Sequence, residues 1–288
     1  MSNQPVKSDV HSLIPGSNCL PKVVLAARDG ARAEIYLHGG HVTSWVPAGG
    51  EERLFLSRTS EFNPQASIRG GVPVIFPQFG KEGPLPRHGF VRRMEWQFLG
   101  PQANSSGVRA IFQVGDDESS RLILPNAFVA ELAVTVGGQQ LEMALTIHNP
   151  GEAAFSFTGA LHTYLSVAEI RDIYLSGLAG LPYLDTVGVR TWRTQQEQEL
   201  LIRGKVDRIY YNAPHKLTLH EKGRQMVIEM QGFPDAVVWN PWAELGATLA
   251  DLEPEGYRRM LCVEAVVTGQ PVTLPPGESW SGIQRLTA

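Results

Sequence analysis

The stretch FVAELAVTVGGQQLEMALTIHN, residues 128–149, decides the fold class of this chain. Two runs rich in strand-forming residues, 128–136 and 141–149, flank the pair Gly137-Gly138. A glycine pair between two such runs is typical of a β-hairpin, because glycine readily adopts the positive φ that tight hairpin turns require. We therefore predict a long antiparallel hairpin at this position.

Similar strand and turn signals extend from this hairpin in both directions. Towards the N-terminus, strand-like runs alternate with turn pairs such as Asp29-Gly30 and Gly39-Gly40. Residues 95–99 and 108–114 alternate polar and apolar side chains, as half-buried strands do. Towards the C-terminus the strand-like runs are 153–165, 216–220, 225–230, 236–240, 261–267 and 279–286. No stretch longer than about twelve residues keeps a helical apolar period, which makes a βαβ architecture improbable.

These patterns predict an all-β protein, a large antiparallel β-sandwich with few short helices. We expect residues 1–20 to be an N-terminal arm and residues 21–288 to be a single domain, since sandwiches of this size occur as one unit. A short helical turn or loop is expected at 117–121. A solvated loop is expected at 194–201, which is rich in glutamine and glutamate.

The composition indicates a globular chain with a substantial core, since 43% of the residues are hydrophobic and 19% are charged. The net charge of -4 argues against a broad nucleic-acid surface, which needs clustered lysine and arginine. The two cysteines, Cys19 and Cys262, are expected to be free thiols, which favours a reducing, cytoplasmic compartment. No apolar signal sequence and no run of about eighteen apolar residues is found, so neither secretion nor membrane spanning is expected.

Two neighbouring segments combine glycine, proline and arginine: RGGVPVIFPQFG at 69–80 and PRHGFVR at 86–92. Glycine lets a ligand approach the main chain and proline fixes φ, so both segments are suited to a fixed loop shape. Arg69 and Arg92 are candidates for binding an anion, because the guanidinium fork matches the oxygens of a phosphate. The alternative is a plain surface turn.

Two ionisable residues interrupt apolar strands. His162 lies in GALHTY, 159–164, where a histidine is either a hydrogen-bonded structural residue or a catalyst. Glu264 lies in LCVEAVV, 261–267, a run so apolar that both faces of the strand are expected to be buried. Burying an unpaired charge is costly, so Glu264 is either paired structurally or directed into a cleft. A raised pKa there would suit proton transfer near neutral pH.

Other polar and aromatic positions leave alternatives open. Asp207 is either a surface ion-pair partner of Arg208 or an acceptor for a sugar hydroxyl. Trp239 is either a core residue or a platform for a sugar ring, and core packing is the preferred interpretation. The pair His38 and His41 has no third ligand at a recognisable spacing, so no metal site is predicted. The usual sequence motifs of hydrolases, kinases and dehydrogenases are also missing.

Taken together, the motifs resemble the aldose 1-epimerase (galactose mutarotase-like) superfamily and, within it, the glucose-6-phosphate 1-epimerases. Each motif is weak alone, but the set occurs in family order over roughly residues 30 to 285. The motifs are RGGVP at 69–73, FPQFG at 76–80, HGFVR at 88–92, LHTY at 161–164, VDRIY at 206–210, VWNPW at 238–242 and CVE at 262–264.

The resemblance implies a β-sandwich of the galactose mutarotase type with an open cleft on one face. It also implies that His162 is the general acid that protonates the sugar ring oxygen. Glu264 would be the general base that takes the proton of the C1 hydroxyl. Reference pKa values of about 4.3 for glutamate and about 6.5 for histidine suit these roles near neutral pH. We expect the nearby carboxylate and a substrate phosphate to raise the pKa of His162 further.

The resemblance also implies which residues hold the substrate. Asp207 would bind a sugar hydroxyl, and Arg69 and Arg92 would bind the 6-phosphate. His88 and Arg87 are expected in the same site. Arg87 departs from the family pattern, in which a small or amide side chain can precede the histidine. It either adds a third cation to the phosphate pocket or faces solvent.

The expected activity is therefore the interconversion of the α and β anomers of hexose 6-phosphates, chiefly glucose 6-phosphate. One acid and one base that exchange roles suffice for this reaction, so no cofactor and no metal are expected. The expected partner is the sugar phosphate alone, with no nucleic acid and no membrane, and the chain is expected to be a monomer. Two alternatives stay open: a mutarotase for unphosphorylated aldoses, and a non-catalytic module that binds phosphosugars or other carbohydrates.

Overall fold

The computed structural model describes residues 10–102 and 107–288, so the first nine residues of the expected arm lie outside the described residues. Within these two ranges the strands are β1 (Val10–Pro15), β2 (Pro21–Ala26), β3 (Arg32–Tyr36), β4 (His41–Val46), β5 (Val74–Ile75), β6 (Gln97–Gln102), β7 (Val108–Gly115), β8 (Val129–Gly137), β9 (Gln140–His148), β10 (Phe155–Leu161), β11 (Tyr164–Ser166), β12 (Tyr174–Ser176), β13 (Pro182–Asp185), β14 (Thr191–Thr194), β15 (Glu199–Leu201), β16 (Val206–Tyr210), β17 (Lys216–Glu221), β18 (Arg224–Gln231), β19 (Asp235–Asn240), β20 (Met260–Leu274) and β21 (Ser279–Thr287). The helices are α1 (Glu118–Arg121) and α2 (Trp242–Gly246), with 3-10 turns at Ser17–Cys19, Val91–Arg93, Ile170–Asp172 and Gly256–Arg259.

The described strands form three antiparallel sheets. A small sheet has the order β1-β2-β3-β4, so Val10–Pro15 in the expected arm is its edge strand. An eight-stranded sheet has the order β14-β13-β16-β19-β20-β10-β5, with β11 also paired to β20. A nine-stranded sheet has the order β15-β12-β17-β18-β21-β9-β8-β7-β6. The predicted hairpin is present in it as β8 and β9, whose register closes on the pair Gly137 and Gln140.

The eight- and nine-stranded sheets enclose the main hydrophobic core. Every second residue of β9 from Leu141 to Ile147 is buried in it, and so is every second residue of β20 from Leu261 to Val267. Since side chains alternate between the faces of a strand, each sheet contributes one face to this shared core. The predicted fold class, a large antiparallel β-sandwich with few short helices, is confirmed.

The other face of β20 is also buried. Val266 packs in a second, small apolar cluster and Cys262 in a third. Glu264 shares this face with them and is only 1% exposed. Both faces of the strand are therefore covered, as its apolar sequence predicts.

The helices of the described ranges are short. α1 confirms the helical turn predicted at 117–121, and Asp117 caps it by accepting a hydrogen bond from the Ser120 backbone N–H. Neither α-helix exceeds five residues, whereas a helix needs about twenty apolar residues to cross a bilayer, so no described helix can do so.

The prediction of a solvated loop at 194–201 is wrong in part, because residue 194 belongs to strand β14 and residues 199–201 form strand β15. Gln195, between them, is buried. Its amide oxygen accepts hydrogen bonds from the guanidinium of Arg208 at 2.9 Å and from the Tyr210 hydroxyl at 3.1 Å. A glutamine whose amide is satisfied in this way can be buried, although glutamine content alone favours exposure.

Candidate active site

His162 and Glu264 lie opposite each other on one face of the eight-stranded sheet. β10 ends at Leu161 and β11 begins at Tyr164, and from Gly159 to Ser166 their pairing with β20 keeps one register. His162, in the gap between them, therefore lies opposite Glu264 and on the same face of the sheet. The imidazole Nε2 and the carboxylate Oε1 are 3.4 Å apart. The structure thus brings the two predicted proton carriers into direct contact.

Each of the two side chains keeps one buried polar atom without a hydrogen-bond partner among the described residues. These atoms are Nδ1 of His162 and Oε2 of Glu264. Most buried polar atoms in proteins are hydrogen-bonded, and an unpaired one is expensive. Such a cost is typical of a site in which the free atoms serve a bound molecule.

Asp207 and Trp239 lie on the same face, because strand pairing sets them in a row with Cys262. Asp207 is opposite Trp239 in β16 and β19, and Trp239 is opposite Cys262 in β19 and β20. The Trp239 ring meets the ring of His162 edge-on, with the centroids 6.3 Å apart. Trp239 is half-buried and also packs against the two smaller apolar clusters. Trp239 therefore packs partly as a core residue, as the preferred interpretation predicts, and it also contacts the ring of His162.

The alternative of an ion pair between Asp207 and Arg208 is wrong. Consecutive residues of a strand point to opposite faces. Arg208 lies over the ring of Tyr183, 4.6 Å from its centroid, and donates to Gln195. Burial raises the pKa of Asp207 above its ordinary value. The charge of Asp207 in turn contributes, after burial itself, to the raised pKa of Glu264.

The loop residue Arg69 is anchored beside this pair. Its guanidinium donates to the Tyr164 hydroxyl at 3.0 Å and pairs with the Asp251 carboxylate at 3.0 Å. Burial opposes the charge of Arg69, but Tyr164 and Asp251 outweigh this effect and raise its pKa. The ring of Tyr164 in turn stacks on that of His162, with the centroids 4.9 Å apart. Arg69 is thus coupled to the imidazole through a single tyrosine.

Arg92 is a largely buried cation without a carboxylate partner in residues 10–102 and 107–288. Its guanidinium donates to the backbone carbonyl of Arg87 at 3.3 Å, and its Nε is buried and unpaired. Burial, followed by the positive charges of Arg93, Arg69 and Arg87, lowers the pKa of Arg92 to about 10. A buried positive charge of this kind favours the binding of an anion.

His88 contacts His162 and is near enough to the arginines for their charges to affect its pKa. It adopts φ 61, and the next residue, Gly89, adopts φ 63 with its Cα so close to Phe76 that a Cβ would lie 1.9 Å from the Phe76 carbonyl oxygen. Only glycine fits there, which explains the HG pair of the motif. The His88 ring contacts the His162 ring edge-on at 5.7 Å between centroids. Burial, and then Arg92, Arg87 and Arg69, lower the pKa of His88 to about 3.

The expectation that the neighbouring carboxylate raises the pKa of His162 is wrong. Burial, and then the charges of His88, Arg69 and Arg92, lower the pKa of His162 well below its ordinary value. Burial raises the pKa of Glu264, as expected, well above its ordinary value. A protonated Glu264 supplies no negative charge, so it cannot raise the pKa of the imidazole. The pair therefore favours a proton on the carboxyl group over a proton on the imidazole.

Comparison with known proteins identifies the family. The sequence model of the aldose 1-epimerase family matches residues 21–287. This chain belongs to the aldose 1-epimerase family.

The similarity to individual proteins of this family extends over nearly the whole chain. A Cenchrus ciliaris protein with the provisional name glucose-6-phosphate 1-epimerase is 37% identical over 286 residues, which cover 96% of this chain and 87% of the relative. An Escherichia coli protein of the same provisional name is 32% identical over 244 residues, which cover 83% of this chain and 81% of the relative. A crystal structure from Salmonella typhimurium, provisionally titled a mutarotase, has a TM-score of 0.87 at 27% identity and covers 99% of this chain and 94% of its own.

Arg87 departs from the aldose 1-epimerase pattern, and the structure shows its exposure and its electrostatic neighbours. Its side chain is exposed to solvent. Its charge nevertheless reaches the site, because it helps to lower the pKa of His88 and opposes the raised pKa of Asp207. Arg87 is therefore the exposed member of a cationic cluster that consists of Arg69, Arg87 and Arg92.

Two residues of the site, Tyr164 and Asp251, were not predicted. Tyr164 could have been found, since it is two residues beyond His162 on the same chain and so shares its face. Asp251 gives no such signal, because it follows α2 in a turn and reaches Arg69 only through the tertiary fold.

His162, Cys262 and Glu264 form the one group of three potential metal ligands found among the described residues, with donor atoms within 4.8 Å of one another. Burial, and then the charge of Glu264, raise the pKa of Cys262 well above its ordinary value. The other two donor groups, the His162 imidazole and the Glu264 carboxylate, already contact each other at 3.4 Å. The arrangement therefore fits a proton-transfer pair better than a metal centre.

Proposed function

We propose that this chain interconverts the α and β anomers of hexose 6-phosphates, chiefly glucose 6-phosphate. Glu264 takes the proton of the C1 hydroxyl while His162 delivers a proton to the ring oxygen. The bond between C1 and the ring oxygen breaks, a carbonyl forms at C1, and the open chain rotates about the C1–C2 bond. Closure from the other face reverses both proton transfers, so the two side chains return to their starting state.

The contact of 3.4 Å between His162 and Glu264 is the observation that carries this proposal. The ring oxygen and the anomeric hydroxyl are bonded to the same carbon. An acid and a base that serve these two oxygens must therefore lie side by side, and not on opposite sides of the sugar ring. A hydrogen-bonded structural pair would not leave Nδ1 and Oε2 without partners.

The arginines support a phosphorylated substrate. Arg92 has no carboxylate partner in the described ranges, and its charge, with that of Arg69, is among the causes of the low pKa of His162. A phosphate dianion bound to the two arginines would offset these charges and favour a proton on His162. Glu264 would then be free to act as the base. Phosphate binding thus prepares the pair for the reaction, whereas an unphosphorylated sugar would not.

Within this proposal Asp207 accepts a hydrogen bond from a sugar hydroxyl, and His88 and Arg87 lie beside the phosphate. Asp207 shares the face of Glu264 and forms no ion pair in the part of the chain that the structure describes. His88, neutral because of its low pKa, accepts the Gly80 N–H at Nδ1, so its Nε2–H is a donor for the same ligand. We further propose a monomeric, cytoplasmic protein, consistent with free thiols at Cys19 and Cys262.

Comparing two substrates tests the proposal. Conversion of pure α-glucose 6-phosphate and of pure α-glucose is followed by polarimetry, with the spontaneous rate subtracted. We expect kcat/KM to favour the phosphorylated sugar by about 30- to 1000-fold, equivalent to about 2–4 kcal/mol of charge-assisted binding. Equal values for both sugars would favour the mutarotase for unphosphorylated aldoses.

The variant Glu264→Gln separates catalysis from binding. Loss of the base should lower the rate by about 10²- to 10⁴-fold. Calorimetric affinity for glucose 6-phosphate should stay nearly unchanged. Glu244→Gln, at an exposed position of α2, serves as the matched control and should leave the rate unchanged. Binding without catalysis in the wild-type chain would favour the non-catalytic module.

A further inference from the structure

Gln284 is a buried polar residue in the apolar interior of the sandwich. It lies on β21 in the nine-stranded sheet, on the face that also carries Leu286, and both residues are 0% exposed. An amide in such a place costs free energy unless its donors and acceptors are satisfied. The hydrogen-bond partners of Gln284 therefore indicate what this residue does in the structure.

The Gln284 amide crosses the core and binds two residues of the eight-stranded sheet. Its Oε1 accepts a hydrogen bond from the Thr163 hydroxyl, and its Nε2 donates to the Val263 carbonyl oxygen at 3.1 Å. Thr163 and Val263 are themselves joined, because the Val263 N–H donates to the Thr163 carbonyl at 3.1 Å. The Gln284 side chain thus holds together two facing residues, Thr163 in the gap between β10 and β11 and Val263 in β20.

These two residues are the immediate chain neighbours of the proton-transfer pair. Thr163 follows His162 and Val263 precedes Glu264. Because successive side chains point to opposite faces, Gln284 holds the backbone directly beneath the two functional side chains. The chain is outside a regular strand at residues 162 and 163, between β10 and β11, so the ladder alone constrains this point less than its flanks.

We propose that Gln284 is a positioning residue that sets the spacing of His162 and Glu264 by clamping Thr163 to Val263. The proposal rests on the proposed acid/base function. Gln284 itself stays on the core face and does not touch the substrate. Its effect is on the geometry of proton transfer, where a displacement of about 1 Å can cost about 100-fold in rate.

Two pairs of variants test this role. Gln284→Met keeps the volume but removes both hydrogen bonds, and Thr163→Val removes only the hydroxyl donor. We expect each to lower kcat by about 10- to 100-fold while KM changes less than about twofold. Thr163→Ser keeps the donor and should restore most of kcat. The double variant Gln284→Met with Thr163→Val should be no slower than Gln284→Met alone, since both act on one contact.

Asn149 provides the matched control. It is also 0% exposed, and its side chain donates to the Ala153 and Leu274 carbonyls at 3.0 and 2.9 Å, at the far end of β20. Asn149→Leu should lower the free energy of unfolding but leave kcat unchanged. If Gln284→Met behaves like Asn149→Leu, with lower stability and unchanged kcat, Gln284 is structural only and the proposal is overturned.

An NMR measurement keeps the inference separate from the proposed activity. The imidazole nitrogen signals of His162 are compared in the wild-type chain and in the Gln284→Met, Thr163→Ser and Asn149→Leu variants. Gln284→Met should shift or broaden them, and the other two variants should not. Unperturbed signals in Gln284→Met would refute the positioning role even if no anomerase activity were found in the wild-type chain.

Discussion

Arg92 differs from most arginines of this chain in what surrounds it. Its charge is largely buried and lacks a carboxylate partner in the described ranges, whereas Arg69 already pairs with Asp251. We predict that Arg92→Gln lowers kcat/KM for glucose 6-phosphate by about 30- to 1000-fold, mostly through KM, because a charge-assisted contact is lost. Steady-state kinetics with the phosphorylated sugar checks this.

The neighbouring Arg93 gives a control for that substitution. Arg93 belongs to the same 3-10 turn but is exposed to solvent. Arg93→Gln should change kcat/KM less than about threefold, since exposed charges contribute little. A loss in Arg93→Gln as large as that in Arg92→Gln would mean that general electrostatic attraction, and not a specific contact, holds the phosphate.

His41 contributes a pH dependence to stability. Its Nε2 lies 2.7 Å from the Gly70 carbonyl oxygen, and burial lowers its pKa from 6.5 to about 3. Below about pH 6.5 His41 binds a proton in the unfolded chain but stays neutral in the folded chain. The stabilising contribution of neutral His41 is therefore present above pH 6.5. As the pH falls towards 3, it is lost by up to about 1.4 kcal/mol per unit.

The variant His41→Gln isolates this effect, because glutamine can still donate to the Gly70 carbonyl but does not titrate. Urea unfolding between pH 7.5 and 4 should show a shallower fall in the free energy of unfolding than in the wild-type chain. The packing cost of the substitution is a constant offset that is measured at pH 7.5. Parallel curves for the two proteins would exclude His41 as a source of the acid sensitivity.

Single residues also show how far sequence reasoning reaches. His162 and Glu264 stand out because a polar residue in an apolar strand needs a reason, and the structure places them in contact. The low pKa of His162 could not be predicted, since it depends on burial and on cations from loops distant in sequence. Gln284 was missed for the same reason, because its partners lie on the other sheet.

At the scale of elements, the loop of residues 76–90, between β5 and the 3-10 turn Val91–Arg93, sets the positions of Arg87 and Arg92. Gly89 is the tightest point, with a Cβ position 1.9 Å from the Phe76 carbonyl oxygen. We predict that Gly89→Ala lowers the free energy of unfolding by about 2–4 kcal/mol, from the positive φ and the clash together. Urea unfolding and the KM for glucose 6-phosphate check this, and both should worsen.

Gly80 offers a comparison with the same backbone strain but without the clash. Its φ is 65, and no atom lies within 4 Å of the position that its Cβ would take. Gly80→Ala should therefore cost only about 1 kcal/mol. Equal losses for the two variants would show that backbone strain alone, and not the contact with Phe76, makes Gly89 necessary.

Individual strands could be predicted from local sequence patterns, but the pairing of strands that are distant in sequence could not. The β8–β9 hairpin follows from its glycine turn, whereas the partnership of β20 with β10, β11 and β19 joins segments far apart in sequence. Turn chemistry cannot fix such a register. The predicted loop at 194–201 failed because Gln195 finds partners on β16, which no local count of polar residues reveals.

At the scale of the whole molecule, a chain with a net charge of -4 concentrates uncompensated positive charge at one site. The sandwich makes this possible. Its core lies on one face of the eight-stranded sheet, which leaves the other face of β20 to carry Glu264 beside His162. The arginine loops pack over that face and supply the cations. The overall negative charge repels anions in general, so binding of a phosphate dianion depends on this local arrangement.

Ligand-dependent stability of the whole chain tests this arrangement. A ligand that binds only the folded state raises the free energy of unfolding by RT ln(1 + [L]/Kd), about 2.7 kcal/mol at a hundredfold excess over Kd. We predict that glucose 6-phosphate, and more weakly inorganic phosphate, raises the melting temperature at constant ionic strength, while glucose at the same concentration does so far less. Arg92→Gln should remove most of the shift by phosphate. Glucose and glucose 6-phosphate share every hydroxyl except the one that is phosphorylated. Equal shifts of the melting temperature by the two sugars would therefore mean that the sugar ring, and not the phosphate, provides the binding energy. The proposed contact between Arg92 and the phosphate would then be refuted.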